Sequence, residues 1–192
     1  MATPDPTRPS WDQLFEFAVC QAGCFTTQQA AHAGYSTQLL GKHIKAGRIR
    51  RIQRGIYRLV HYPLDEDEDM VITWLWSDHE GVFSHHTALM LQRLSDVFPA
   101  RVFLTLPAVW EKRRLRVPPG LILHFADIAP EDRGWFGAVP ITRPRRTLND
   151  AAIAGLSPDL LKQGALQAIQ RGLVRREDLP DVQRALEPFG GL

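Results

Sequence analysis

At 192 residues, the chain is longer than a lone DNA-binding module and can form one domain with a sizeable core or two small ones. Its 44% hydrophobic and 23% charged residues are ordinary for a soluble globular protein. The longest apolar stretch, residues 70–76, is far too short to cross a bilayer, and residues 1–10 lack the apolar core of a signal peptide. We therefore expect a cytoplasmic protein without membrane contact, preceded by a disordered lead-in at residues 1–10.

The net charge of +2 is unevenly distributed along the chain. Residues 1–62 hold eight basic and three acidic residues, a net of +5, whereas residues 63–192 hold fifteen basic and eighteen acidic residues, a net of −3. The excess is concentrated in residues 36–59, which contain seven Lys or Arg residues and no Asp or Glu. This asymmetry indicates that the first third of the chain binds a polyanion.

Three short helices are predicted in the first third of the chain. Apolar residues at helical spacing predict a helix over residues 11–22, and Thr26 can cap a second helix over residues 27–33. Ser36 can cap a third helix over residues 37–46, which ends where a glycine follows. The apolar side of this third helix would face the core and consists of Leu39, Leu40 and Ile44.

A β-hairpin is predicted directly after the third helix. Two β-branched runs, residues 48–52 and 56–59, are joined by the glycine-containing link at residues 53–55. Ile49 and Ile52 are three apart and cannot both point inward from a regular strand, so Ile49 is assigned to the exit of the helix. Three helices followed by a basic hairpin are the layout of a winged helix-turn-helix.

The third helix would then be the recognition helix, with its N-terminal residues against base edges. Gln and Thr side chains can hydrogen-bond base edges, whereas Lys and Arg neutralise phosphate or enter the minor groove. A solvated basic face and a module that binds protein are the alternatives. Base readout is assigned to Thr37, Gln38 and Lys42, and the full set of DNA-binding candidates is Ser36, Thr37, Gln38, Lys42, Lys45, Arg48, Arg50, Arg51 and Arg54.

The rest of the chain alternates strand and helix patterns, so the predicted fold class is α+β, with a mixed α/β second domain that ends in helices. The acidic run at residues 65–69 is interpreted as the first turn of a helix, where acids favour the helix dipole. Ser84 is placed to cap a helix over residues 85–94. We divide the chain into the lead-in, a winged-helix domain at residues 11–62 and a second domain at residues 63–192.

Two groups of residues could indicate metal chemistry. His85 and His86 are adjacent and point to different sides of a helix, and the sequence lacks an H-E-x-x-H motif. Cys20 and Cys24 lack zinc-pair spacing and are expected to be reduced. We predict no catalytic residues, no metal and no cofactor. A metal-dependent nucleic-acid enzyme that uses the two histidines and the acidic run is the weaker alternative.

Three motifs resemble those of the AbiEi family, the antitoxins of type IV toxin–antitoxin systems. The first runs from Phe25-Thr26-Thr27-Gln28-Gln29-Ala30-Ala31 through Gly34-Tyr35-Ser36 to Arg54-Gly55-Ile56-Tyr57. The second is Ser84-His85-His86-Thr87-Ala88-Leu89, and the third is Ile141-Thr142-x-Pro-x-Arg146-Thr147-Leu148-x-Asp150. Together they cover the chain from about Trp11 to Asp150, in the family's order.

The resemblance implies a non-enzymatic bacterial protein with two domains. The first would bind inverted repeats in double-stranded operator DNA and repress its own operon, and the second would counter a cognate nucleotidyltransferase-like toxin. Some relatives carry a nuclease-like domain with a Glu-x-Lys signature, a triplet that this sequence lacks. A stand-alone regulator without a toxin is the main alternative. The candidate functional residues of the second domain are Arg113, Arg114 and Arg146.

Overall fold

The structure is a computed structural model that describes residues 9–192. The chain divides into two compact units, one running to His79 and the other from Glu80 to Leu192. Most of the predicted lead-in lies outside the described residues. Of its last two residues, Ser10 caps the first helix by accepting a hydrogen bond from the backbone N–H of Gln13 at 3.2 Å.

The first unit contains the predicted winged helix-turn-helix. Thr26 and Gln29 form a reciprocal capping box, and Ser36 accepts from the backbone N–H of Leu39 at 3.2 Å, so both predicted caps are confirmed. The helices of this unit are α1 (Trp11–Val19), α2 (Thr27–His32), α3 (Thr37–Lys45) and α4 (Glu68–Trp76). Its strands are β1 (Cys24–Thr26), β2 (Ile49–Gln53) and β3 (Ile56–Leu59).

These strands form an antiparallel sheet in the order β1-β3-β2. The assignment of Ile49 to the helix exit is wrong, because Ile49 is a buried residue of β2. The pairing register between β2 and β3 shifts by one residue between Arg51 and Gln53. This bulge leaves Ile52 unpaired and resolves the conflict in strand phase.

The segment after β3 is fixed to the first unit. Arg58 is buried and forms an ion pair with Glu68 of α4 at 2.8 Å. The ring of Tyr62 lies against Gly23, where a Cβ atom would approach that ring to 2.6 Å. Helix α4 therefore belongs to the first compact unit, which ends after α4 and not before it.

The second unit is a mixed sheet with helices. Its strands are β4 (Val82–Phe83), β5 (Val102–Leu106), β6 (Leu121–Phe125), β7 (Arg133–Phe136) and β8 (Val139–Thr142). They lie in the order β6-β5-β4-β8-β7, with parallel pairing of β5 to β6 and of β4 to β8. The helices are α5 (His85–Leu91), α6 (Pro144–Ile153), α7 (Pro158–Gln170) and α8 (Pro180–Leu186). The predicted α+β class, with a mixed second domain ending in helices, is confirmed.

The helices of the second unit share one apolar core. Its residues come from α5 to α8 and include Leu89, Leu148, Leu161, Ala165 and Leu186, all at most 1% exposed. None of the helices in residues 9–192 combines the length and apolar character needed to cross a membrane.

Candidate nucleic-acid interface

Helix α3 presents one apolar and one polar face, as its sequence predicts. Leu40 is buried in the core of the first unit, and Leu39 and Ile44 pack against it. The polar side chains on the other side of the helix are all exposed to solvent: Ser36, Thr37, Gln38, Lys42 and Lys45. These side chains are accessible to a ligand because they are not packed in the core.

Two aromatic contacts fix the position of α3. The ring of His43 stacks on Trp11 of α1 at a centroid distance of 5.6 Å, and it meets the edge of Tyr35 at 5.5 Å. Burial lowers the pKa of His43, and the nearby Arg48 acts in the same direction. The imidazole is therefore favoured in its neutral form, as a packing group rather than a cation of the basic face.

Strand β2 extends the basic surface of α3. It is one of the two edge strands of the sheet, it follows α3 in sequence, and it contacts that helix. Arg48, Arg50 and Arg51 are exposed, and the Arg51 guanidinium donates to the backbone carbonyl of Gln53 at 3.3 Å. Helix, turn and edge strand thus form one surface with basic and neutral polar side chains and no carboxylate.

The turn of the hairpin is held close to α2. The carbonyl of Gly55 accepts from the backbone N–H of Thr27 at 2.9 Å and from the hydroxyl of Thr27 at 3.3 Å. Arg54 remains exposed on this turn. The turn of the hairpin is therefore short and held against α2, so Arg54 has a defined position beside the N-terminus of that helix.

One of the seven basic residues in residues 36–59 does not belong to this surface. Arg58 is 3% exposed, and its guanidinium donates to Glu68 and to the backbone carbonyls of Leu59, Tyr62 and Pro63. No sequence pattern indicates this burial, because all four residues of β3 are buried and Arg50, the partner of Arg58 on β2, is exposed.

The second-domain candidates lie on different elements. Arg113 and Arg114 follow β5, and the Arg113 guanidinium lies 4.2 Å from the ring centroid of Trp110. Arg146 lies on α6, where it donates to both carboxylate oxygens of Asp150 at 2.8 and 2.9 Å. Both contacts tie the guanidinium to a neighbouring side chain, and Arg114 remains exposed.

Comparison with known proteins finds a family match for the segment that carries the surface of α3 and β2. Residues 12–60 match the family model described as a transcriptional regulator, AbiEi antitoxin. This segment is AbiEi-like. The match begins within α1 and runs past the end of β3, so it contains every residue of the basic surface on α3 and β2.

The remaining comparisons concern the fold. The chain is similar to the crystal structure of the RV2827C protein from Mycobacterium tuberculosis, with 15% sequence identity and a TM-score of 0.50. That likeness covers 94% of this chain and 73% of the other. At this identity it shows a shared fold and nothing further. No curated protein matches the chain.

The second sequence motif, at residues 84–89, forms part of a buried polar cluster. Ser84 does not cap α5 through its side chain. Its hydroxyl instead lies 2.8 Å from Nδ1 of His85 and accepts from the hydroxyl of Thr105 at 2.7 Å. His85 adopts a φ of 51°, which is uncommon outside glycine, and stacks on His124 of β6 at a centroid distance of 3.7 Å. His124 gives no signal in the sequence, because a single histidine in a strand belongs to no motif.

The third motif forms the junction between β8 and α6. The hydroxyls of Thr142 and Thr147 lie 2.6 Å apart, and Thr147 also donates to the carbonyl of Thr142 at 2.9 Å. Asp150 is 8% exposed, and its burial raises the pKa of the carboxyl although Arg146 acts in the opposite direction. Within residues 9–192, no set of three or more His, Cys, Asp or Glu side chains is arranged to hold a metal ion.

Proposed function

We propose that the chain is a sequence-specific DNA-binding repressor that acts as the antitoxin of a toxin–antitoxin operon. Its first domain would bind double-stranded operator DNA, with inverted repeats as the expected arrangement. The observation that carries the proposal is the carboxylate-free, exposed surface of α3 and β2 within the segment that matches the AbiEi family.

The individual roles follow from chemistry and position. Thr37, Gln38 and Lys42 project from the exposed side of α3 and are proposed to contact base edges. Phosphate contacts are proposed for the remaining basic candidates: Lys45, Arg48, Arg50, Arg51 and Arg54. Ser36 would contribute through its exposed position at the start of α3, where it also caps the helix.

Binding of labelled DNA from the region upstream of the gene tests the proposal by fluorescence anisotropy. Affinity should fall steeply as salt rises, because each neutralised phosphate releases counterions. Gln38→Ala should relax the preference for the upstream sequence over scrambled DNA, at a cost of about 1–3 kcal/mol on the specific site. Arg50→Ala should weaken binding to both DNAs alike and reduce the salt slope by about 1.

Arg101→Ala is the matched control, since Arg101 is exposed in the second unit and lies outside the proposed surface. Equal loss of affinity for Arg50→Ala and Arg101→Ala would contradict the assigned surface. Failure of the unaltered protein to bind its own upstream DNA at low salt would refute the repressor role.

The antitoxin role concerns the second domain, and its partner is proposed to be a nucleotidyltransferase-type toxin. Identification of the neighbouring reading frame is the first test, because a stand-alone regulator would lack such a neighbour. Where a toxin gene is present, the full chain should restore growth of cells that express it. The double variant Arg50→Ala with Arg51→Ala, impaired in DNA binding, should still restore growth, since both residues lie in the first domain.

A further inference from the structure

Helix α1 is apolar on two sides. Leu14 and Ala18 are fully buried in the core of the first unit. Trp11, Phe15 and Val19 follow each other at intervals of four and are 39%, 44% and 44% exposed. Residues at this spacing share one face of a helix. Core packing accounts for the first side of α1. On the second side, the outer stripe, Trp11 stacks on His43, whereas Phe15 and Val19 lie outside the core of the unit.

The outer stripe borders a groove of the same domain. Trp11 and Phe15 form one wall of this groove, and Leu59, Tyr62 and Pro63 contribute the other apolar side chains. Its volume is about 640 Å³. The groove is therefore apolar and large enough to accept aromatic side chains from outside.

Charges at this surface are arranged in complementary sets. Asp12 and Glu16 are exposed on α1, next to the outer stripe. Arg48 and His61 line the groove. A partner that brings aromatic side chains and carboxylates at helical spacing would match both the apolar walls and the basic groups. Helix α1 itself has these properties.

We infer that this surface joins two copies of the chain, with the outer stripe of each α1 packed into the groove of the other. A two-fold contact uses the same patch on both copies, so the patch must be complementary to itself. The aromatic residues of α1 supply both the inserted side chains and a wall of the groove, which fulfils this condition. The inference goes beyond DNA binding and is tested on the protein without DNA.

Sedimentation velocity of the full chain, from micromolar to near-millimolar concentration, measures the association directly. The mass should rise with concentration to twice that of one chain. Phe15→Glu places a charge in the outer stripe and should weaken the association by ~10-fold or more, as expected for an aromatic anchor at an interface centre. Phe98→Glu is the control, because Phe98 is 89% exposed in the second unit, and it should associate as the unaltered chain does.

Exchanging the charges on the two sides of the contact distinguishes a specific contact from non-specific association. Glu16→Arg and His61→Glu should each weaken the association, since each places like charges opposite one another. The double variant should recover most of the loss. Thermal unfolding followed by circular dichroism checks that every variant is folded, and Val19→Lys replaces Phe15→Glu if that variant is not.

Three outcomes would overturn the inference. The first is a chain that stays monomeric at all concentrations. The second is association that appears only after removal of residues 1–8, which would assign the groove to that segment. The third is a monomer that binds an aromatic anion such as anilinonaphthalene sulfonate and loses this binding in Phe15→Glu, which would assign the groove to a small ligand.

Discussion

Arg58→Ala should destabilise the first domain by about 3–5 kcal/mol, the range expected when one partner of a buried ion pair is removed. The substitution leaves the carboxylate of Glu68, whose side chain is 15% exposed, without its cation. It also removes the hydrogen bonds to three backbone carbonyls between β3 and α4, at 2.9 to 3.0 Å. Arg58→Lys should recover only part of the loss, because a single ammonium cannot reach acceptors arranged for a guanidinium fork.

Arg50→Ala is the matched comparison, since Arg50 lies directly opposite Arg58 on β2 and is exposed. Its effect on stability should stay within about 0.5 kcal/mol, although we expect it to impair DNA binding. Native-state hydrogen exchange can assign the change to individual amides and so separates the two units. Equal amide protection in Arg58→Ala and Arg50→Ala would show that the buried pair does not hold α4 in place.

Acid should destabilise the second unit more than the first, beginning below about pH 6.5, where a histidine in an unfolded chain takes up a proton. Burial lowers the pKa of His85 to about 3, and the neighbouring His124, His86 and Arg146 act in the same direction. Burial also lowers the pKa of His86 and of His124, although Asp150 opposes the shift of His124. Burial therefore favours the neutral form of all three imidazoles in the folded state.

The sign of the effect follows from linkage between protonation and folding. Because the unfolded chain binds the proton of His85 more tightly, the stability contributed by the neutral ring is complete above about pH 6.5. It is lost progressively as the pH falls towards 3, by on the order of 4 kcal/mol for His85. The raised pKa of Asp150 opposes this trend in acid, because the folded state takes up that proton more readily than the unfolded one.

Denaturant unfolding between pH 7 and pH 4, followed by hydrogen exchange in the second unit, measures this effect. His85→Asn should lower stability at pH 7, since the stack on His124 is lost, and should flatten the dependence on pH. Asn tolerates the positive φ at this position better than most residues. His32→Asn, at an exposed position in the first unit, should retain the pH dependence of the unaltered chain. An unchanged pH dependence in His85→Asn would rule out the proposed cause.

The sequence predicted those parts of the first domain that are determined locally. The caps at Thr26 and Ser36 and the apolar face of α3 depend on residues within one or two turns of each other. Strand β1 was missed, because its three residues become a strand only through pairing with β3, some thirty positions away. The docking of α4 was missed for the same reason, since the pairing of Arg58 with Glu68 leaves no periodic signal.

The candidate surface was predictable because it depends on the exposed face of a regular helix, which sequence spacing defines. The anchored turn at Gly55 was not predictable, because it depends on a backbone contact with Thr27. In the second unit, the family resemblance pointed to Ser84, Arg146 and Asp150, and the structure shows the contacts that each makes. His124 joins them only through the pairing of β6 with β5.

The strand order of the two sheets sets the order in which they can be completed during synthesis. All three strands of the first sheet have been synthesised once Leu59 is added, although β1 pairs with β3 some thirty positions away. In the second sheet, the central strand β4 needs β8 beside it, and β8 ends at Thr142. During translation, synthesis of the last strand of the first sheet is therefore complete 83 residues before that of the last strand of the second sheet. In the interval, the apolar residues of β4 and β5 have no completed sheet to join.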